Sequence, residues 1–198
     1  STLRAYGCIR QESDGRYYLG TKLFQWGCSV SASWDITRLA RPYLERLARD
    51  TGSTALLSRV EGSSITVIDQ CVSGAGIRVA SEMGSHVSLY ATSQGKLLLA
   101  SLSDSAVRRL IPEGKLQAFT PHTLTDLPAL LADLERIRIQ GYAIENGEYK
   151  IGLRSVSAPV YSRENDIAYI VSAVGLFRRV ESDEFDLVIR QTCDDARA

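Results

Sequence analysis

Leu153-Arg154-Ser155-Val156-Ser157-Ala158-Pro159-Val160-Tyr161 is followed by the polar stretch Ser162-Arg163-Glu164-Asn165-Asp166, then by Ile167-Ala168-Tyr169-Ile170-Val171-Ser172-Ala173-Val174. Two β-rich runs about a polar turn predict antiparallel strands, because β-branched and aromatic side chains fit a pleated, half-buried surface. Upstream, residues 142–145 read as another strand. It follows Gly141, the terminator of the clearest helix in the chain, which starts at Asp126 and carries Leu130, Leu131, Leu134 and Ile137 on one face. Residues 54–60 and 64–71 flank Glu61-Gly62-Ser63 as a hairpin, and residues 77–80 and 87–90 read as shorter strands. Thr92-Ser93-Gln94-Gly95 opens a helix through Leu97-Leu98-Leu99-Ala100, residues 104–111 form a short helix, and a last helix begins near Ser182. Hairpin-grouped strands with interspersed helices predict an α+β fold, one mainly antiparallel sheet covered by helices.

The first fifty residues have a different character. Residues 1–20 read as a short helix end and a hairpin turning at Ser13-Asp14-Gly15, where glycine tolerates positive φ. Its basic residues Arg4, Arg10, Arg16 and Lys22 outnumber Glu12 and Asp14, and taken alone this is an ordinary solvated hairpin. Residues 22–30 form a short apolar helix whose Leu23, Phe24 and Trp26 would be poorly buried in one chain and are expected to meet a partner. A second helix starts at Asp35, places Ile36, Leu39, Ala40, Tyr43, Leu44 and Leu47 on one face, is kinked or restarted by Pro42, and ends at Gly52.

Hydrophobic residues make up 44% and charged residues 23%, a composition that argues against disordered and fibrous classes. Lys+Arg and Asp+Glu both number 23, so the chain is not built wholly to coat nucleic acid, although a basic patch at one end remains open. No apolar run approaches bilayer length and the start lacks a secretory leader, which points to a cytoplasmic protein with no membrane partner. Cys8, Cys28, Cys71 and Cys193 are widely scattered and read as reduced, buried structural thiols. His86 and His122 pair with no nearby cysteine or acidic motif, so neither a metal site nor a cofactor is expected.

Gly95-Lys96 superficially suggests a phosphate loop, but Tyr90 stands where the loop glycine is needed and Leu97 where the magnesium-binding hydroxyl is needed. What survives is a helix start whose free N–H groups could receive a carboxylate. No G-x-S-x-G elbow occurs, and neither histidine has an evident carboxylate to orient it. Glu145 and Glu148 could do acid–base work, though a polar strand-end turn explains them as simply.

Several segments, in order, resemble one family. Asp14-Gly15-Arg16-Tyr17-Tyr18-Leu19-Gly20 resembles the wing hairpin of IclR-type transcription regulators, and the stretch from Leu39 to Ala48 with Thr51-Gly52 resembles the helix opening their effector domain. Gly84-Ser85, Leu89, Ala91-Thr92, Gly95-Lys96 and Leu99-Ala100 are similar to its central segment. Gly141-Tyr142-Ala143, Glu148-Tyr149, Gly152-Leu153-Arg154 and Ala158-Pro159-Val160 are similar to the next. Each motif is loose, but the ordered set is specific and covers essentially the whole chain.

The resemblance implies a GAF/PAS-like antiparallel sheet flanked by helices, preceded by a wing hairpin and linker helix. Residues 1–20 would be the remnant of a winged helix-turn-helix, 21–34 the linker helix and 35–198 the effector-binding domain. It implies a homodimer or homotetramer, a repressor-like regulator that binds operator DNA through the full winged helix, and backbone contacts to DNA from Arg10 and Arg16. The implied effector is a small organic acid held at Ser93 and Gln94, with Glu145, Ser155 and Ser172 as polar partners and Val87 and Leu153 as apolar walls. Tyr90 and Val174 stand where the family often has histidine and a hydroxyl residue, which points to a larger or more aromatic acid. The rival readings are a GAF-like enzyme acting on a small carboxylate, which would need an activated nucleophile or metal, and a pure oligomerisation module without a ligand.

Overall fold

The computed structural model describes residues 2–32, 35–74, 84, 87–112 and 114–198. They fall into two compact units, residues 1–39 and 40–198.

In the first unit, α1 (Thr2–Ala5) leads into the antiparallel pair β1 (Ile9–Gln11) and β2 (Tyr17–Leu19), then α2 (Thr21–Ala32). The turn closes as the sequence requires: Gly15 has φ +80°, and the Asp14 carboxylate accepts from the Arg16 N–H at 2.9 Å. On α2, Leu23, Phe24 and Trp26 are 37%, 75% and 48% exposed, and Cys28 is exposed too, contrary to its reading as a buried thiol. The described residues of α2 are exposed apart from half-buried Lys22, so Cys28 has no buried face to occupy.

The second unit is built on a five-stranded antiparallel sheet in the order β4-β3-β7-β6-β5, with β3 (Thr54–Glu61), β4 (Ser64–Val72), β5 (Ala143–Asn146), β6 (Arg154–Tyr161) and β7 (Ile167–Gly175). The quoted hairpin is β6–β7, with Ser157 opposite Ser172 and Ser155 opposite Val174. A bulge interrupts β3–β4: Leu57 pairs with Asp69 but Ser58 with Val67, leaving Ile68 as the extra residue. The rear face carries α3 (Asp35–Thr51) and α7 (Asp183–Arg197), where Arg46 of α3 ion-pairs with buried Asp195 of α7 and Arg41 bonds Asp69 of β4 at 3.0 Å. Two expectations for α3 fail. It continues through Pro42 as one helix rather than restarting there, and Leu39 is 62% exposed, the buried face being Leu44, Leu47 and Ala48.

The front face carries α4 (Ser93–Ala100) and α6 (Leu127–Gln140), with α5 (Asp104–Leu110) nearby. Leu97, Leu98 and Leu99 join Leu130, Leu134, Ile137 and Ile170 in the front core. Asp126 caps α6 by accepting from Ala129 N–H, and Gly141 ends it with φ +79°.

Residues 87–90 are not the strand expected; they turn. The Thr92 hydroxyl donates to the Ser88 carbonyl at 2.7 Å and accepts from the Gly95 N–H, folding the segment back onto the first turn of α4. The expected strand at 77–80 lies outside the described residues. Gly95 makes this fold-back possible, since a Cβ there would stand 2.1 Å from the Ser88 carbonyl oxygen and 2.4 Å from Leu89 Cα. Because the obstacle is backbone, Gly95→Ala should cost about 2–3 kcal/mol, at the upper end of overpacking penalties. Denaturant unfolding checks this, and unchanged stability would show that the segment yields freely.

Candidate functional site

Neighbours across a sheet share a face, and residues two apart along a strand return to it. On the front face, Glu145 of β5 pairs with Ser155 of β6, Ser157 pairs with Ser172 of β7, and Ser172 pairs with Leu56 of β3. These side chains lie under the N-terminus of α4. The Ser93 hydroxyl hydrogen-bonds both Ser155 and Ser157 at 2.7 Å, Ser157 bonds Ser172 at 2.8 Å, and Ser155 donates to Glu145 Oε2 at 3.3 Å. All five are at least 95% buried.

The start of α4 holds unused polar groups. Thr92 satisfies only the Gly95 N–H, and the Ser93 and Gln94 amides find no acceptor among the described residues. The side chain of Gln94 is buried, yet its carbonyl oxygen has no partner. Buried polar groups are paired in the great majority of cases, so this cluster marks a place where something polar is accommodated.

Beside it, Val87 and Leu153 pack on a buried cluster of Leu56, Val67 and Val174. The predicted site residues therefore divide into three. Ser93, Glu145, Ser155 and Ser172 form one hydrogen-bonded row with Gln94 adjacent in sequence; Val87, Leu153 and Val174 form an apolar wall next to it. Tyr90 is drawn elsewhere: its hydroxyl bonds the backbone of Gln117 (3.0 Å to the carbonyl, 3.1 Å from the N–H), and its ring stacks on Phe119. Surface hollows of about 470 Å3, beside Arg41 and Cys71, and about 300 Å3, beside Gly52 and Phe177, lie among the described residues; only the second touches a predicted residue, Val174.

Sequence reasoning missed two features. Ser157, the hydroxyl that joins Ser93 to Ser172, was signalled by its spacing of two from Ser155. Lys96, dismissed with the phosphate loop, is 2% exposed and its ammonium lies 2.6 Å from Glu148 and 2.9 Å from Asp133 of α6. Breaking such a pair by removing one partner typically costs about 3–5 kcal/mol. Its pairing with Glu148 also braces the turn after β5, because the Glu148 and Tyr149 N–H groups donate to Glu145 Oε1 at 2.7 and 3.1 Å. Among the described residues no group of three or more His, Cys, Asp or Glu is placed to hold a metal, and no helix is long and apolar enough to cross a membrane.

Burial pushes the Glu145 carboxyl from an ordinary 4.5 up to about 7; the two N–H donors oppose the rise, the Glu148 charge adds to it and Lys96 reduces it. Burial also raises Glu148, opposed by Lys96.

A buried row of hydroxyls and a carboxylate beneath an open helix start is an arrangement that can bind a polar group. The comparisons agree with that class. Residues 28–198 match the family model described as bacterial transcriptional regulator IclR C-terminal. The HTH-type transcriptional regulator XynR of Escherichia coli K12 is 33% identical over 92% of this chain and 73% of its own. The HTH-type transcriptional repressor AllR of the same strain is 30% identical over 92% of this chain and 68% of its own. The crystal structure of the Thermotoga maritima IclR superposes with a TM-score of 0.80 at 28% identity, covering 99% of this chain and 79% of that one. The chain belongs to the IclR family and is a ligand-responsive transcriptional regulator. Its relatives are regulators rather than enzymes, and the enzyme reading gains no support.

The raised Glu145 sets a pH dependence. Native Glu145 holds its proton more tightly than the unfolded chain does, so its contribution to stability is complete below about pH 4.5 and is lost as pH rises through about 7. The loss is on the order of 3 kcal/mol. Glu145→Gln should flatten the stability profile between pH 5 and 8, measured by urea unfolding; a parallel slope in the variant would assign the titration to another group.

Proposed function

We propose that the ligand is a small organic acid whose carboxylate sits at the start of α4, on the Ser93 and Gln94 amides, with Glu145, Ser155 and Ser172 as further polar partners and Val87 and Leu153 as walls. One observation carries this: the Ser93 and Gln94 amides, without an acceptor among the described residues, lie in a buried setting beside a row of hydroxyls, while the unpartnered Gln94 carbonyl oxygen calls for a donor elsewhere on the guest. Helix N-termini favour anions, and apolar walls select shape. Tyr90 is committed to Gln117, so its ring would widen selectivity towards aromatic acids only from the edge of the site.

The ligand would act by binding one arrangement of the oligomer more tightly than another, since equal affinity shifts nothing. In this reading residues 1–20 are the remnant of a winged helix-turn-helix, 21–34 the linker and 35–198 the effector domain, in a cytoplasmic protein that represses as AllR is named for doing. Arg10 and Arg16, with side chains 62% and 79% exposed and ion-paired to Glu12 and Asp14, would exchange those partners for operator phosphates.

Titration calorimetry with glyoxylate, pyruvate and hydroxybenzoates tests the ligand class. At least one acid should bind and its amide should not, and Ser172→Ala should weaken binding roughly tenfold or more. Failure of every acid to bind would remove this reading.

Leu23, Phe24 and Trp26 form the proposed dimer interface. Leu23→Glu with Trp26→Glu should lower the oligomer mass in sedimentation, and an unchanged mass would place the interface elsewhere.

A further inference from the structure

The hydroxyl row is a line with a single sense of direction. Glu145, Ser155, Ser93, Ser157 and Ser172 are joined by four contacts, and none of the serine hydroxyls has another partner among the described residues. A serine brings one hydrogen, and an ionised carboxylate brings none. With Glu145 ionised, Ser155 donates to it, Ser93 to Ser155, Ser157 to Ser93 and Ser172 to Ser157. Every hydrogen is then consumed, and Ser172 can offer an incoming group only lone pairs. A carboxylate guest has only lone pairs as well, so the two repel.

Adding one proton inverts the row. The Glu145 Oε1 atom is held as an acceptor by the Glu148 and Tyr149 N–H groups, so the proton belongs on Oε2, the atom facing Ser155. The carboxyl then donates to Ser155, each hydroxyl turns in sequence, and the Ser172 hydrogen is left over. The proton comes from solvent, and no heavy atom need move.

Resting on the small-acid reading, we propose that the site takes up one proton with each carboxylate it binds: Glu145 becomes neutral, and the serine row reverses so that Ser172 donates to the guest. Two physical terms act together. Reversal supplies the donor, and neutral Glu145 removes the repulsion between two anions in a buried setting. The charged groups facing Glu145 among the described residues are Glu148 on its own turn and Lys96 on α4, with Asp133 of α6 reached through Lys96. β6 and β7 bring only serines to this row, Arg154 of β6 being bonded to Asn146 and to the Phe177 carbonyl. Lys96 lies 2.6 Å from Glu148 and opposes the rise that burial gives that carboxyl, whereas no cation among the described residues bonds Glu145, so Glu145 is the group assigned the change of charge. Its ordinary range is already shifted up to about 7, so the proton is available near neutrality.

The test is calorimetry with the tighter-binding of pyruvate and 4-hydroxybenzoate, in buffers of different ionisation enthalpy, at pH 6 and pH 8. The wild-type chain should take up close to one proton per acid at pH 8 and almost none at pH 6, and its affinity should fall about tenfold between them. Glu145→Gln keeps an oxygen for the two N–H donors and sets an NH2 towards Ser155, holding the row in the donating sense. It should bind with no proton uptake, and at pH 8 about tenfold more tightly than wild type. Ser157→Ala cuts the row while leaving Glu145 in place, and should shrink the pH 6 to pH 8 affinity ratio.

Binding without buffer dependence at pH 8 would overturn the coupling and leave the small-acid reading standing. An unchanged ratio in Ser157→Ala would overturn the relay in favour of charge repulsion alone. Binding of neither acid by the wild type at pH 6 would overturn both the reading and the coupling.

Discussion

Helix α4 is buried along its whole length, from Ser93 to Ala100, and that placement dictates the chemistry around it. A helix in the interior cannot leave its first amides, or a lysine near its start, to water. The Lys96 ammonium must therefore meet carboxylates, and it meets Glu148 and Asp133. Ser93 must find hydroxyls, and it finds Ser155 and Ser157. The remainder, the Gln94 oxygen and the first amides, defines the polar demand of the site. Gly95 is the condition for all of this, because the helix reaches its position only by pressing on the backbone at Ser88 and Leu89.

The ion pair and the hydroxyl row are mechanically one assembly. Lys96 anchors Glu148, whose backbone N–H donates to Glu145, whose other oxygen receives Ser155. The Glu148 carbonyl is in turn held by the Thr120 and Thr123 hydroxyls at 3.3 and 2.6 Å, tying the loop before α6 to the same turn. A ligand that changes charge at Glu145 therefore acts on a braced lattice of short contacts, where a small shift is passed on rather than absorbed.

Much of the sheet was legible because β6 and β7 are β-rich runs on either side of a polar turn, and α6 carries both its cap and its terminating glycine. Residues 87–90 misled because Val87, Leu89 and Tyr90 have strand-forming side chains, whereas their conformation is set by Thr92 and by a close approach at Gly95, contacts that composition does not reveal. Pro42 misled in the opposite direction as a restart point, the helix continuing through it where packing of Leu44 and Leu47 holds the segment. The polar row was read in part by resemblance. Ser157 and Lys96 were not, since one required knowing the strand register and the other required knowing that α4 is buried on every side.

The bulge in β4 gives one strand two loyalties. Ile65 and Val67 lie on the α4 side, but the extra residue Ile68 rotates the remainder of the strand, so Asp69 and Cys71, also odd-numbered, lie on the opposite side, where Asp69 reaches Arg41. The ribbon is in effect given a half-turn by one amino acid. Losing it would exchange greasy for charged on both surfaces at once, so the length of this strand is as tightly constrained as its composition.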